Sequence, residues 1–152
     1  MLDNRGVIRR AVPGDTLQLE ACMQKAYSVY KKRMNGNQLP PLEADYKDEI
    51  VSYPVWVLDK GDEILGGVIL MFHPTYTQVA NIAVDPDYQG HGLGRRLLGF
   101  AEEKSVERGC FEMRLATHRL LTENVAFYTS MGWEESGRDD FRIFFKKRLE
   151  TT

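Results

Sequence analysis

A cluster of three glycines within residues 90–94 separates a strand pattern at 77–84 from a helical pattern that runs from 93 to about 108. A further strand pattern follows at 110–117. Strand, helix and strand in succession form a crossover unit, which predicts at least one parallel strand pair. Glycine loses more conformational freedom on folding than any other residue, so the cluster also indicates that something comes close to the main chain there.

The rest of the chain predicts hairpins on either side of this unit. Strand patterns cover residues 6–12, 55–58, 63–72, 77–84, 110–117, 133–137 and 141–149. We expect Asp15 or Thr16 to cap a first helix, and the spacing of Leu42, Tyr46 and Ile50 predicts one shorter second helix. The order β-α-α-β-β-β-α-β-α-β-β predicts an α/β (α+β) fold with a mixed, mostly antiparallel sheet and helices on both faces.

Length and charge narrow the class of protein. The 152 residues fit one domain, residues 1–152, and the formal net charge of -2 gives no general attraction to nucleic acid or to an anionic membrane. The N-terminus lacks the apolar run of a signal peptide, and the longest apolar stretch, residues 64–72, is too short to span a bilayer. Cys22 and Cys110 predict free thiols in a reducing compartment, so we expect a cytoplasmic protein without nucleic-acid or membrane partners.

The glycines lie between a strand and a helix N-terminus, where open backbone amides and the positive end of the helix dipole favour an anion, phosphate above all. A tight connection without any ligand is the alternative. Arg95 and Arg96 follow where a nucleoside triphosphate loop needs Lys and Ser/Thr. A dinucleotide site fits poorly, because the spacing is Gly-x-Gly-x-Gly and five residues separate it from the strand, although Glu112 stands where a ribose-binding carboxylate could lie.

Two segments resemble motifs of the GNAT N-acetyltransferase superfamily. "VANIAVDPDYQGHGLGRRLL" is similar to the central motif of that family, with "QGHGLG" in place of its Gln/Arg-x-x-Gly-x-Gly/Ala pyrophosphate loop. "TENVAFYTSMGWEE" resembles its second motif, in which Asn and Tyr precede a Gly-aromatic pair. Together the motifs cover residues 79–135, and the order of elements outside them also agrees.

The resemblance implies acetyl-CoA as cofactor, no metal, and an acyl-CoA N-acyltransferase fold. The strands at 77–84 and 110–117 would splay apart, so that unpaired backbone groups of the first bind the pantetheine and the thioester carbonyl. Asn124 would hydrogen-bond the cofactor and Phe127 would line its channel. The full set implied for cofactor binding is Ile82, Ala83, Val84, Gln89, Gly90, His91, Gly92, Leu93, Gly94, Arg95, Asn124, Phe127 and Tyr128.

The resemblance also implies that Tyr128 is the general acid. Attack of an amine on a thioester expels a thiolate, and a phenol that is hydrogen-bonded to the sulfur can donate the proton. The alternative is a core aromatic, because Val125, Tyr128 and Thr129 lie at helical spacing.

No general base is visible in the sequence. Many family members carry a carboxylate on the strand before the loop, whereas residues 77–84 contain Asn81 and neither Asp nor Glu. A water relay or His118 could serve instead. Asp45 and Tyr46 could face the acceptor, but we expect a solvated carboxylate and a core aromatic.

The sequence therefore predicts an N-acetyltransferase that moves acetyl from acetyl-CoA to a primary amine of a small molecule or peptide, by direct attack in a ternary complex. A non-catalytic acyl-CoA-binding or sensing module of the same fold is the alternative, and a dinucleotide-dependent oxidoreductase is a weaker one. The loop at 35–42 would overhang the acceptor, and nothing in it identifies the amine. The terminal strand "FRIFFKKRL" could pair across a homodimer.

Overall fold

The strands and helices follow the predicted order, with one addition. A computed structural model describes residues 6–34, 36 and 39–150. Its strands are β1 (Val7–Arg10), β2 (Val55–Asp59), β3 (Ile64–Phe72), β4 (Tyr76–Val84), β5 (Glu112–His118), β6 (Glu134–Arg138) and β7 (Arg142–Arg148). Its helices are α1 (Thr16–Ser28), α2 (Pro40–Glu43), α3 (Tyr46–Ser52), α4 (Leu93–Glu107) and α5 (Thr122–Ser130), with 3-10 turns at Pro13–Asp15, Lys31–Met34 and Pro86–Tyr88.

The described residues form a seven-stranded sheet in the order β1-β2-β3-β4-β5-β7-β6. The pairs β1/β2, β2/β3, β5/β7 and β6/β7 are antiparallel, whereas β4/β5 is parallel. The predicted mixed, mostly antiparallel sheet is confirmed, as is the parallel pair inferred from the crossover. The β4/β5 ladder has three residue pairs and ends at Gln78 and Arg114, and β4 continues to Val84.

Backbone contacts group the chain into two compact units. The first unit comprises Met1–Leu70 and Asn81–Leu98, and the second comprises Met71–Ala80 and Gly99–Thr152. The single domain expected from length stays a prediction. In the described part of the chain, no helix combines the length and the apolar character needed to cross a membrane.

The core of the first unit lies between α1 and the strands β2 and β3. The apolar face of α1 is buried, with Leu19 and Met23 fully inaccessible. Residues 55–58 and 64–70 are buried without alternation, as expected for strands covered on both faces. Two glycines of β3 permit this packing: a Cβ on Gly66 would lie 2.7 Å from the carbonyl oxygen of Ala83, and one on Gly67 would lie 2.8 Å from a Leu19 methyl group.

The predicted cap of α1 is wrong. The carboxylate of Asp15 accepts hydrogen bonds from the Val12 amide at 2.8 Å and from the guanidinium of Arg9 in β1. The Thr16 hydroxyl donates to the carbonyl of Pro13. Arg9 also binds Asp59 at 2.9 Å. Hydrogen bonding to Arg9 holds the pKa values of both carboxylates below their ordinary range. An ion pair between Asp15 and β1 therefore takes the place of the helix cap.

The predicted second helix is in fact two helices. Ala44 is extended, with ψ at 144°, and ends α2. The side chain of Asp45 then accepts a hydrogen bond from the Asp48 amide at 3.2 Å and caps α3. A local aspartate cap therefore interrupts the helical spacing of the apolar residues. Within the preceding loop predicted at 35–42, residues 35, 37 and 38 lie outside the described part of the chain, as do 1–5 and 151–152 at the termini.

In the second unit, β5 and β7 alternate between buried and accessible residues. Leu115 pairs with Phe145, and both are buried. Gly132 follows α5 with φ at +88°, the left-handed conformation that glycine commonly adopts after a helix end. Because β7 pairs with β5 on one side and β6 on the other, it has no open edge for a second copy. The homodimer therefore stays a prediction, and its expected route through this strand is not supported.

Candidate functional site

The segment between β4 and the glycines is anchored to the first unit. The Asp85 amide donates to the Leu65 carbonyl at 2.7 Å, and its carboxylate accepts from the Asp87 amide. Lys25 of α1 binds Asp85 at 3.2 Å and Asp87 at 2.5 Å. These contacts hold the 3-10 turn Pro86–Tyr88 and position the chain that enters the glycine loop.

The glycine loop has a conformation that other residues rarely adopt. Gly90 and Gly92 have φ at +85° and +75°, and a Cβ on either would meet nothing within 4 Å. Both glycines are exposed. Glycine is therefore needed here for the backbone dihedral and not for close internal packing. The open space beside the main chain fits the predicted approach of an anion.

The start of α4 presents its backbone amides beside these glycines. The first helical hydrogen bond is donated by the Arg96 amide to the Gly92 carbonyl at 3.0 Å. The amides of Leu93, Gly94 and Arg95 precede this bond and belong to the turn whose donors have no intrahelical partner. They lie at the positive end of a 15-residue helix. Gln89, His91 and Arg95 are also exposed in this loop, so the predicted diphosphate residues lie together in the first unit.

The end of β4 differs from the expectation in one respect. The carbonyl of Ile82 accepts a hydrogen bond from the Tyr27 hydroxyl at 2.9 Å and is therefore paired. Ala83 is buried, whereas Ile82 and Val84 are partly accessible. The roles of these three residues toward pantetheine stay predictions, and for Ile82 only the amide remains a candidate.

The other predicted site residues lie on α5 in the second unit. The Asn124 side-chain amide donates to the Thr117 hydroxyl at 3.5 Å. Tyr128 is 7% exposed, and its ring packs against Phe127, Trp133 and Phe145 with centroid distances of 5.5 to 5.8 Å. The ring is thus part of the aromatic core, as the alternative predicted. Its role as general acid stays a prediction.

Asn81, on the strand where the family resemblance leads us to expect a carboxylate, is held by two tyrosines. Its oxygen lies 3.2 Å from the Tyr27 hydroxyl, and its nitrogen lies 3.3 Å from the Tyr46 hydroxyl. Tyr46 in turn donates to the Pro41 carbonyl at 2.5 Å. Tyr46 is 1% exposed, as expected for a core aromatic, and burial raises its pKa. Sequence reasoning missed Tyr27, whose only signal was its position four residues after Met23 on α1.

His118 is poorly suited to act as a general base. Its Nδ1 accepts a hydrogen bond from the Leu120 amide at 3.1 Å, so the neutral ring carries its proton on Nε2. The lone pair that could take a proton is therefore already engaged. Burial lowers the pKa of His118, with a smaller contribution from the charge of Arg119. Of the two candidates for the general base, the water relay then remains.

The family model described as "Acetyltransferase (GNAT) domain" matches residues 52–135, more than half of the chain. The [ribosomal protein bS18]-alanine N-acetyltransferase of Escherichia coli is 41% identical over 56 residues, which cover 37% of this chain and 38% of that protein. The glucosamine 6-phosphate N-acetyltransferase of Trypanosoma brucei brucei is 29% identical over 82 residues, or 49% of this chain and 54% of that protein.

A solved structure shares the fold over nearly the whole length. The crystal structure of PaiA N-acetyltransferase from Thermoplasma acidophilum, in complex with coenzyme A, has a TM-score of 0.82 at 18% identity and covers 94% of this chain and 98% of that one. The family match includes the strand, the glycine loop and the helix described above. The chain therefore belongs to the GNAT acetyltransferase family.

Proposed function

We propose that this chain is an acetyl-CoA-dependent N-acetyltransferase that acts on a primary amine in a ternary complex. The observation that carries the proposal is the glycine loop, in which two positive-φ glycines and the start of α4 leave backbone amides beside open space. A diphosphate fits this place because it is compact, anionic and rich in hydrogen-bond acceptors.

Residues around the loop would bind and orient the coenzyme. The amides from Gly90 to Arg95 would hold the diphosphate, with Gln89 at the entrance of the loop. Backbone groups at Ala83 and Val84, together with the Ile82 amide, would hold the pantetheine arm. The short β4/β5 ladder supports this assignment, because only three residue pairs join the two strands. Asn124 and Phe127 would contact the arm from α5.

Tyr128 would supply the proton that the leaving sulfur needs. Bound acetyl-CoA would provide an acetyl thioester, whose sulfur leaves as a thiolate when the amine attacks the carbonyl. A thiol has a pKa of about 8.5 and a phenol one near 10, so proton transfer requires that the two be hydrogen-bonded. The aromatic packing around Tyr128 supports a fixed ring orientation, which such a transfer demands.

The acceptor class is proposed as a small-molecule or peptide amine. The matched relatives are described as acting on a protein alanine and on glucosamine 6-phosphate, so similarity alone does not choose between them. The buried, unbridged Cys22 and Cys110 support the expectation of a reducing compartment, and we place the protein in the cytoplasm.

The test combines cofactor binding with an amine panel. Equilibrium binding of acetyl-CoA and of NAD is measured by calorimetry, and thiol release from acetyl-CoA is followed with amino acids, peptides, polyamines and amino sugars. We expect acetyl-CoA to bind, NAD not to bind, and at least one amine class to release thiol. Tyr128→Phe should lower kcat by about 10²-fold or more while acetyl-CoA still binds. Tyr53→Phe, at a partly buried tyrosine of the first-unit core, is the matched control.

The acid assignment is wrong if Tyr128→Phe leaves kcat unchanged. The alternative, a non-catalytic acyl-CoA-binding module, is favoured by two observations: β4 carries no carboxylate, and the lone pair of His118 is engaged. That alternative predicts tight binding of acetyl-CoA with no thiol release above buffer for any amine.

A further inference from the structure

The contact with Tyr46 determines the orientation of the Asn81 side-chain amide. A phenol has a single hydrogen, and that of Tyr46 is donated to the Pro41 carbonyl, which can only accept. Toward Asn81, the Tyr46 oxygen must therefore accept, so the group that faces it is the Asn81 nitrogen. The Asn81 oxygen then lies 3.2 Å from the Tyr27 hydroxyl, whose single hydrogen is shared with the closer Ile82 carbonyl at 2.9 Å.

This arrangement leaves one donor of Asn81 unused. A primary amide carries two N–H bonds, and one of them is directed to Tyr46. Among the residues that the structure describes, the second N–H has no partner. Asn81 is partly accessible, so a ligand can reach it. The group is neutral and has no basic lone pair, hence it can bind an oxygen but cannot take a proton from an ammonium.

The place of Asn81 on β4 ties this donor to the proposed acceptor. It directly precedes Ile82, and neighbouring residues of a strand are about 3.3 Å apart. The residues that follow it are those proposed to hold the thioester end of acetyl-CoA. A molecule whose amine reaches that thioester would place atoms a few bonds from its nitrogen near Asn81.

We propose that the second N–H of Asn81 binds an oxygen of the acceptor and thereby selects amines that carry a carbonyl beside the amino group. An α-amino carbonyl compound, such as a peptide N-terminus, has this chemistry. Tyr46 and Tyr27 are positioning residues, because they hold the amide in the orientation that presents a donor. This inference rests on the proposed N-acetyltransferase function and specifies its substrate class.

The test uses two acceptors of similar size, alaninamide and 2-aminobutane, of which only the first has a carbonyl beside the amine. The value of kcat/KM is measured by thiol release for the full chain and for Asn81→Ala, Tyr46→Phe and Tyr53→Phe. For each acceptor, kcat/KM of a variant is divided by kcat/KM of the unsubstituted chain. The difference in basicity between the two amines then cancels. Thermal unfolding of every variant reports its folding.

We expect Asn81→Ala to lower kcat/KM for alaninamide by about 5- to 10-fold more than for 2-aminobutane, the effect of one neutral hydrogen bond, with most of the loss in KM. Tyr46→Phe should act in the same direction by a smaller factor, since Asn81 keeps its donor but loses its fixed orientation. If Asn81→Ala does not fold, Tyr46→Phe still tests the inference. Tyr53→Phe should leave kcat/KM unchanged for both acceptors.

Equal losses for the two acceptors in both variants would overturn the inference and leave a structural role only. That result leaves the proposed function intact as long as the unsubstituted chain releases thiol. An unsubstituted chain that binds no acetyl-CoA or releases no thiol with any amine would instead refute the proposed function, and this inference with it.

Discussion

Gly92 allows the proposed diphosphate site to be tested against a matched position on the same helix. Gly92 precedes α4 with φ at +75°, and Gly109 follows that helix with φ at +80°. At both, a Cβ would meet nothing within 4 Å. Alanine at either position must therefore adopt a left-handed backbone conformation, which costs an L-residue about 1–2 kcal/mol. A reduced entropy of the unfolded chain offsets about 0.4–1 kcal/mol of that cost.

The net loss of about 1 kcal/mol should appear in both variants as a decrease in Tm of about 2–4 °C. The effect on the ligand should differ. The methyl group of Gly92→Ala enters the space proposed for the diphosphate, so we expect the Kd for acetyl-CoA to rise at least about 10-fold, or about 1.4 kcal/mol. Gly109→Ala should bind acetyl-CoA as the unsubstituted chain does.

Calorimetric titration with acetyl-CoA, combined with thermal denaturation, measures both quantities. If both variants lose stability to a similar extent and both keep the original affinity, the loop does not hold the diphosphate and the reasoning is refuted. If Gly109→Ala also loses affinity, the effect of Gly92→Ala cannot be attributed to its position.

Two further predictions concern the first unit. Gly66→Ala should lower the free energy of unfolding by about 1–3 kcal/mol, and by more than Gly67→Ala does. The reason is that the new methyl group at residue 66 would meet the rigid Ala83 carbonyl, whereas that at residue 67 would meet the flexible end of Leu19. Equal losses in thermal denaturation would contradict this. Asp15→Asn should cost about 1–3 kcal/mol at pH 7. Hydrogen bonding to the Arg9 guanidinium lowers the pKa of this carboxylate. The stabilisation is therefore fully present above the ordinary pKa of 3.8 and is lost progressively as the pH falls from there through the lower pKa of the folded state. Urea denaturation should therefore show a smaller penalty at pH 3 than at pH 7, and an equal penalty at both would refute the ion-pair explanation.

Patterns within short segments predicted most of the fold. The crossover unit at 77–117 gave the parallel pair, and the strand periods gave the other elements to within a few residues. Gly109 and Gly132 have the positive φ expected of helix stops. These features depend on neighbours in the chain, so the residue types alone carry the information. The candidate diphosphate loop was predictable for the same reason, because all its members lie within residues 89–95.

Contacts between distant residues were not predictable in this way. Asp15 resembles a helix cap, but it binds Arg9, which also binds Asp59 50 residues along the chain. The terminal strand β7, expected to be able to pair across a homodimer, lies between β5 and β6. Each outcome depends on which elements pack together, and a local pattern does not record that choice.

The sequence by itself determined the family motifs, the order of elements and the conformation of the glycine loop, because each arises from neighbouring residues. Only the tertiary structure decided the environment of Asn81. Its partners Tyr27 and Tyr46 lie 54 and 35 residues away along the chain and meet it through the packing of α1 and α3 against β4. Such a network exists only after the core has formed, since a hydrogen bond between distant residues requires the packing that brings its atoms within reach.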